Sequence, residues 1–124
     1  MKDGRSETGK KGEDAAAQYL ESLGHRILDR NWRSGHLEID IVSADILGIH
    51  FVEVKTRTAP VPALPEENVT FAKQKKITAA AGRYLMKARS DRAKEVFFDV
   101  IGVVIDGERN TITYYPQAYI PIYV

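Results

Sequence analysis

Two neighbouring stretches of alternating apolar and polar residues constrain this chain more than any other feature. They are residues 37–42, which read L-E-I-D-I-V, and residues 50–57, which read H-F-V-E-V-K-T-R. Alternation with a period of two is typical of β-strands, and a short connection between two such runs predicts that the strands pair. We therefore expect a sheet in which these two strands are neighbours.

The polar positions of the two strands carry an unusual set of charges. Because successive side chains of a strand point to opposite faces, Glu38 and Asp40 are expected on one face of the first strand. The other face of that strand should carry Leu37, Ile39 and Ile41. On the second strand, one face is expected to carry Phe51, Glu53, Lys55 and Arg57, and the other Val52, Val54 and Thr56. Pairing in register would collect two or three carboxylates and a lysine on one patch of the sheet.

This patch contains the donor groups of a divalent-cation site. Hard cations such as Mg2+ bind carboxylate oxygens and keep several waters, so Asp40 and Glu53 are candidate ligands. Lys55 follows Glu53 on the same face, where its charge can orient a water or stabilise developing negative charge. The alternative is a cross-strand salt bridge in which Lys55 neutralises one of the carboxylates. The spacing supports both, because charges among aliphatic residues need either a partner or a metal.

A further carboxylate, Glu13, lies in a predicted helix from about Gly9 to Leu23. The apolar stripe of that helix is formed by Ala16, Ala17, Leu20 and Leu23, and Glu13 lies at its N-terminal end. The helix pattern favours the interpretation that Glu13 interacts with the positive N-terminus of the helix. The alternative is that Glu13 faces the sheet and joins the carboxylate patch.

The remaining chain completes a single α/β domain. The expected strands are His25–Trp32, Gly35–Val42, Ile49–Arg57, Val96–Ile105 and Thr111–Tyr115, with a second helix at Thr70–Arg89. Pro60, Pro62 and Pro65 indicate a surface loop over residues 58–67. The second helix is then a crossover between parallel strands, and the element order α-β-β-β-α-β-β predicts one mixed sheet flanked by helices. Residues 1–8 are expected to be a flexible N-terminus and residues 9–124 one domain.

Composition excludes several classes of protein. The chain has 124 residues and no cysteine, so disulfides, a thiolate nucleophile and a cysteine zinc site are ruled out. No apolar run approaches the roughly 20 residues that span a bilayer, and the polar first residues do not resemble a signal peptide. We therefore expect a cytoplasmic protein that does not bind a membrane. The net charge is only +1, so a nucleic-acid surface would have to come from local clustering.

Such clustering occurs on the second predicted helix. Residues 71–94 contain eight basic residues and one acidic residue. A basic helix of this kind can contact phosphates without reading bases. The candidate nucleic-acid-binding residues are Arg57, Lys73, Gln74, Lys75, Lys76, Arg83 and Lys87. The alternative is a solvated helix face without a ligand.

Nearly the whole chain carries motifs of a known family. They are Gly9-x-x-Gly12-Glu13, Tyr19-Leu20, Gly24, Arg30-Asn31-Trp32-Arg33, Glu38-Ile39-Asp40-Ile41-Val42, Phe51-Val52-Glu53-Val54-Lys55-x-Arg57, Lys73-x-Lys75-Lys76-Ile77, Tyr84-Leu85 and Phe98-Asp99-Val100. On these motifs the chain resembles the bacterial YraN-like family (UPF0102) of uncharacterised predicted endonucleases, within the PD-(D/E)xK superfamily. Ile39 stands where the superfamily name has proline, and Leu37 where the family commonly has glycine.

The resemblance implies a restriction-endonuclease-like fold and a metal-dependent nuclease site. In that site Asp40 and Glu53 would bind Mg2+ or Mn2+, and Lys55 would assist the attacking water. The chain is also similar to archaeal Holliday-junction resolvases, which carry a glutamate on the first helix. This similarity reverses the preference for Glu13, which would complete the site, with Glu38 in an outer position.

The sequence thus predicts a metal-dependent endonuclease or phosphodiesterase acting on DNA rather than RNA, including branched or structured DNA. Two rival classes stay open: a non-catalytic nucleic-acid-binding module, and a protein-interaction domain in which the carboxylates form an ion-pair network. The three histidines, His25, His36 and His50, show no ligand-like spacing. The C-terminal tyrosines are compatible with sheet packing or with a homodimer surface.

Overall fold

The computed structural model describes residues 6–60, 69–88 and 95–120 of the protein. The elements are α1 (Glu7–Ser22), β1 (Arg26–Ser34), β2 (Leu37–Ala44), β3 (Gly48–Thr58), α2 (Phe71–Ala88), β4 (Glu95–Asp106) and β5 (Arg109–Tyr115). Their order confirms the predicted α-β-β-β-α-β-β arrangement. Most of the predicted proline loop, the three basic residues Arg89, Arg92 and Lys94, and Tyr123 lie outside the described residues.

A single five-stranded mixed sheet, in the order β1-β2-β3-β4-β5, forms the centre of the fold. Neighbouring strands are antiparallel except β3 and β4, which run parallel from Gly48↔Glu95 to Thr58↔Ile105. Helix α2 lies between these two strands in the chain, as a parallel pair requires. The predicted crossover is therefore confirmed.

Both helices begin at a capped residue. The Gly9 amide donates to Ser6 Oγ over 3.0 Å, and the Lys73 amide donates to Thr70 Oγ1 over 3.2 Å. Side-chain oxygens of this kind satisfy the free amides of a first helical turn. Because Ser6 is the cap, α1 begins at Glu7, earlier than the predicted start at Gly9. The part of the predicted flexible N-terminus that the structure describes is thus largely helical.

Each helix covers one face of the sheet with its own apolar core. The core under α1 consists of Ala16, Ala17, Leu20, Ile41, Val52, Ile101, Val103 and Ile105. The core under α2 includes Ile39, Val42, Phe51, Ile77, Ala81, Tyr84, Phe98 and Val100. Trp32 packs edge-on against Tyr84, with ring centroids 5.3 Å apart, so its ring belongs to the core under α2. No helix in the described ranges is long and apolar enough to cross a membrane.

The alternation predicted for β2 is wrong at one position. Ile39 packs under α2 whereas Ile41 packs under α1, so these two residues do not share a face. Between β1 and β2, Arg30 pairs with Ile41 and Trp32 pairs with Ile39, whereas Asn31 and Asp40 between them are not a registered pair. Asn31 has φ of 54°, a conformation that interrupts regular strand geometry. The alternation of side chains between the two faces of β2 is therefore interrupted at Asp40, and we call this interruption the phase change.

Candidate functional site

Asp40 lies where β2 and β3 stop pairing. Their register ends at Ile41↔Val52, and beyond it the Val54 amide donates to Asp40 Oδ2 over 2.9 Å. The carboxylate thus replaces a backbone acceptor in the space between the two strands. We call this point, with Asp40, Glu53 and Lys55, the strand fork.

Burial and neighbouring carboxylates perturb Asp40. Burial, followed by charge repulsion from Glu53 and a hydrogen bond shared with it, raises the pKa of Asp40 to about 8. Glu13 contributes a smaller repulsion to this shift, and the Val54 amide opposes it. A side chain in the gap between strands can be approached from both faces of the sheet. Asp40 can therefore interact both with Glu13 of α1 and with Glu53 of β3.

Glu13 reaches the sheet because α1 lies unusually close to β3. A Cβ added to Gly12 would be 1.8 Å from Thr56 Oγ1, so only glycine fits there. The next residue, Glu13, is 5% exposed. Asn31 Nδ2 donates to Glu13 Oε1 over 2.9 Å, and Arg30 Nη2 lies 3.7 Å from the same oxygen. The glutamate thus faces the sheet in the second turn of α1, away from the helix N-terminus.

Glu53 and Lys55 follow each other on the α2 side of β3. Glu53 is 12% exposed, and Lys73 Nζ of α2 lies 3.5 Å from its Oε1. Lys55 is half-buried. Neither of the salt bridges that the strand pattern allowed, from Lys55 to Asp40 or to Glu53, occurs among the described residues. The cation that does contact Glu53 comes from the helix.

The predicted carboxylates do not all converge. Glu38 is ion-paired with its cross-strand partner Arg33, whose Nε lies 2.6 Å from Glu38 Oε2. Within the described part of the chain, Glu13, Asp40 and Glu53 do not form a group with ligand atoms all within 4.8 Å of one another. The close pair is Asp40 with Glu53, and Glu13 lies further away.

The predicted nucleic-acid-binding residues spread along α2. Five of them are exposed: Lys73, Lys75, Lys76, Arg83 and Lys87. Gln74 is half-buried and donates to the Val69 carbonyl over 2.9 Å, which ties the start of α2 to the preceding segment. Arg57 is half-buried on β3, two residues beyond Lys55. The basic surface and the strand fork are therefore connected through Lys73.

A second polar group was missed by sequence reasoning. His25, Asp45 and His50 each offer a ligand atom, and these atoms lie within 4.8 Å of one another. We call these three residues the histidine cluster. The histidines have no ligand-like spacing in the sequence, but the fold brings His25 and His50 together, with ring centroids 4.5 Å apart. Asp45 and His50 are five residues apart on one hairpin, and this proximity was the only indication of the cluster in the sequence. His25 is distant from both in the sequence.

Comparison with known proteins gives one consistent family. The profile of the uncharacterised protein family UPF0102 matches residues 12–103. A UPF0102 protein of Myxococcus xanthus is 42% identical over 115 residues, covering 93% of this chain and 90% of that protein. One from Bacteroides thetaiotaomicron is 41% identical over 116 residues, covering 94% of each.

Among solved structures, the chain is similar to Pyrococcus furiosus SfsA in complex with Ca2+. The TM-score is 0.41 at 18% identity, over 89% of this chain and 62% of that chain. A likeness at this level carries no information about function.

Proposed function

We propose, from the premise that this chain belongs to the uncharacterised protein family UPF0102, that it is a metal-dependent phosphodiesterase acting on DNA. The family description assigns no activity, so the proposal depends on the site. The observation that carries it is the Asp40–Glu53 pair, two carboxyl groups in contact at the end of a strand ladder. Fold alone does not determine activity.

The strand fork fits a divalent cation. Two adjacent carboxylates repel each other, and that repulsion contributes to the pKa of about 8 at Asp40. A hard cation would remove the repulsion and needs only one or two protein carboxylates. Asp40 and Glu53 would hold Mg2+ or Mn2+, with Glu13 as a further candidate ligand. When bound, such a cation polarises a phosphoryl oxygen and lowers the pKa of a bound water.

Lys55 supplies the remaining charge for phosphodiester hydrolysis. In this reaction a water oxygen bonds to phosphorus and one P–O ester bond breaks, so negative charge increases on the phosphoryl oxygens. An ammonium group placed beside the carboxylates stabilises that charge. Lys55 follows Glu53 by two positions on β3 and is half-buried, so it is held near the reacting phosphate by the strand.

The surrounding charge favours a nucleic-acid backbone as the substrate. The exposed lysines of α2 provide phosphate contacts that do not depend on base sequence. Lys73 links this surface to Glu53. Contacts of this type suit recognition of DNA by shape, including branched or otherwise structured DNA.

The test is cleavage of linear, nicked and four-way-junction DNA with Mg2+, with Mn2+ and with a chelator. The wild type is compared with Asp40→Asn and Lys55→Ala, and Glu21→Gln, an exposed acid near the end of α1, is the control. We expect metal-dependent cleavage that falls at least a hundredfold in both site variants and is unchanged in the control. Cleavage that persists in both site variants would falsify the assignment.

A nucleic-acid-binding module without catalysis is the second candidate, favoured by the same exposed lysines of α2. Tight, salt-sensitive binding of DNA without cleavage in any metal would select it over the nuclease. Absence of salt-sensitive binding would contradict both proposals and favour a protein-interaction domain.

A further inference from the structure

The histidine cluster lies at the end of the β2–β3 pair opposite the strand fork. His25 follows α1, whereas Asp45 and His50 belong to the turn and strand of the hairpin. His25 Nε2 lies 3.4 Å from Asp45 Oδ2, and His50 Nε2 lies 2.9 Å from Asp45 Oδ1. We propose that these three residues form a transition-metal site that binds Zn2+ through both Nε2 atoms and the Asp45 carboxylate.

The distances suit such a site with a small adjustment. In tetrahedral zinc sites the bonds to nitrogen and oxygen are about 2.0–2.2 Å, which places two ligand atoms roughly 3.3–3.5 Å apart. The His25–Asp45 pair, at 3.4 Å, already has that separation. The His50–Asp45 pair, at 2.9 Å, would have to open by roughly 0.5 Å. Asp45 Oδ1 also accepts from the Leu47 and Gly48 amides, over 3.0 Å and 3.2 Å, so this opening would move the hairpin turn together with the carboxylate.

The other nitrogen of each ring is held by a buried oxygen. His50 Nδ1 lies 2.6 Å from Asp99 Oδ2, and His25 Nδ1 lies 2.9 Å from Ser43 Oγ. Histidines that bind a metal usually donate their second ring N–H in this way, which fixes the tautomer and the ring orientation. When Nδ1 of each ring donates to that oxygen, Nε2 is the ring nitrogen that faces Asp45 and can bind a metal.

Asp99, which holds the His50 ring, is itself held by hydrogen bonds from two further residues. The Tyr114 hydroxyl donates to Asp99 Oδ2 over 2.5 Å, and the Gln117 amide donates to Asp99 Oδ1 over 2.9 Å. The Asp99 side chain has no exposed surface. A carboxylate held this rigidly keeps the His50 ring in one orientation, which lowers the cost of assembling the site.

The donor set selects a metal different from that of the strand fork. Two imidazole nitrogens with one carboxylate suit Zn2+ and its neighbours in the first transition row, whereas all-oxygen sites suit Mg2+ and Mn2+. In the His50–Asp45 hydrogen bond, Nε2 of His50 is the donor; zinc would replace that proton, which leaves to solvent. The Asp45 side chain is 15% exposed, so solvent can reach the site and a water can complete the tetrahedron.

The test is Zn2+ binding to metal-free protein, measured by competition with a chromogenic chelator, with Co2+ as a spectroscopic probe. We expect one zinc per chain, visible absorption typical of tetrahedral Co2+, and a melting temperature raised by roughly 5 °C that a chelator reverses. His25→Gln and His50→Gln should each weaken binding at least tenfold. His36→Gln, which removes an exposed histidine, should leave it unchanged.

Three results would overturn the zinc site: no binding tighter than micromolar, binding that survives both cluster variants, or an equal loss in His36→Gln. Circular dichroism checks that each variant is folded. If His50→Gln does not fold, Asp45→Asn replaces it, since that side chain lies beside the turn and its loss should weaken zinc binding equally. The readouts are independent of DNA cleavage, so failure of the nuclease proposal leaves this one standing.

Discussion

The β2–β3 pair carries charge at both of its ends, and the two ends differ in how that charge is balanced. At the histidine cluster, burial lowers the pKa of His50, but hydrogen bonds to Asp99 and Asp45 outweigh it and raise that pKa, so the carboxylates there are paired with a histidine. At the strand fork, burial and Glu53 raise the pKa of Asp40 to about 8. Only about 10 Å of strand separates His50 from Glu53.

The difference shows which end has its charges paired within the metal-free protein and which does not. Polar groups that are fully paired inside a protein stabilise one arrangement, whereas carboxyl groups pressed together cost free energy until something neutralises them. The pairing of β2 with β3 also differs between the two ends. It is regular from Ser43↔His50 to Ile41↔Val52 and then stops before the strand fork. We therefore expect substitutions at the histidine cluster to act on folding as well as on Zn2+ binding, and those at the strand fork to act mainly on Mg2+ binding.

The largest effect on stability is expected from Asp99→Ala. This substitution removes the partner of His50 and Tyr114 and leaves their buried donors unsatisfied. Breaking a buried pair in this way should lower the free energy of unfolding by about 3–5 kcal/mol. Urea denaturation measures the change. Asp106→Ala, an exposed aspartate at the end of the same strand, should change stability by less than about 0.5 kcal/mol, and equal losses would show that Asp99 is not a structural anchor.

The contrast between the two ends also marks the limit of what the sequence predicts. The helices, strands and crossover follow from hydrophobic period and turn residues, and Asp40 and Glu53 could be placed on neighbouring strands from alternation alone. The phase change at Asp40 could not be predicted from the sequence, because it depends on Asn31 in a conformation that few non-glycine residues adopt. Likewise Asp99 joins His50 only through the parallel pairing of β3 with β4, a long-range contact without a local signal.

The next effect should come from moving α1 away from the strand fork. Gly12→Ala places a methyl group 1.8 Å from Thr56 Oγ1, so the helix must shift and carry Glu13 with it. Overpacking of this kind costs about 1–3 kcal/mol, measured by thermal or urea unfolding. Gly82→Ala is the matched control, because a Cβ there meets nothing within 4 Å, and it should stabilise the protein by about 0.5–1 kcal/mol. A neutral Gly12→Ala would contradict the close approach of α1.

A pH-dependent effect is expected at the strand fork. The ordinary pKa of an aspartate is 3.8, whereas that of Asp40 in the folded protein is about 8. Between these values the folded state binds the proton more tightly than the unfolded state, so stability falls as pH rises. Asp40→Asn removes this loss, and its stability relative to wild type should rise by about 3–4 kcal/mol from pH 5 to pH 8.

Urea unfolding of both proteins at the two pH values measures that difference, and Glu21→Gln should show no such change. The same proton competes with the metal, so Mg2+ affinity of the wild type should rise up to about tenfold per pH unit and level off above pH 8. A stability difference independent of pH would mean that Asp40 is ionised throughout, and the strand fork would then lose its distinction from the histidine cluster.

The smallest expected effect concerns the one cation that contacts the strand fork from α2. Lys73 Nζ lies 3.5 Å from Glu53 Oε1 but is 49% exposed, so the ion pair should contribute less than about 1 kcal/mol to folding. Its charge nevertheless opposes binding of a second cation at Glu53. Lys73→Gln should therefore raise Mg2+ affinity by about twofold to fivefold, the equivalent of up to about 1 kcal/mol, while DNA binding weakens. Calorimetric titration measures the first change and fluorescence anisotropy the second. The control is Lys76→Gln, which changes the net charge by the same amount at an exposed position of the same helix. An equal gain in Mg2+ affinity in this control would show that the effect comes from overall charge and that Lys73 does not act at the strand fork.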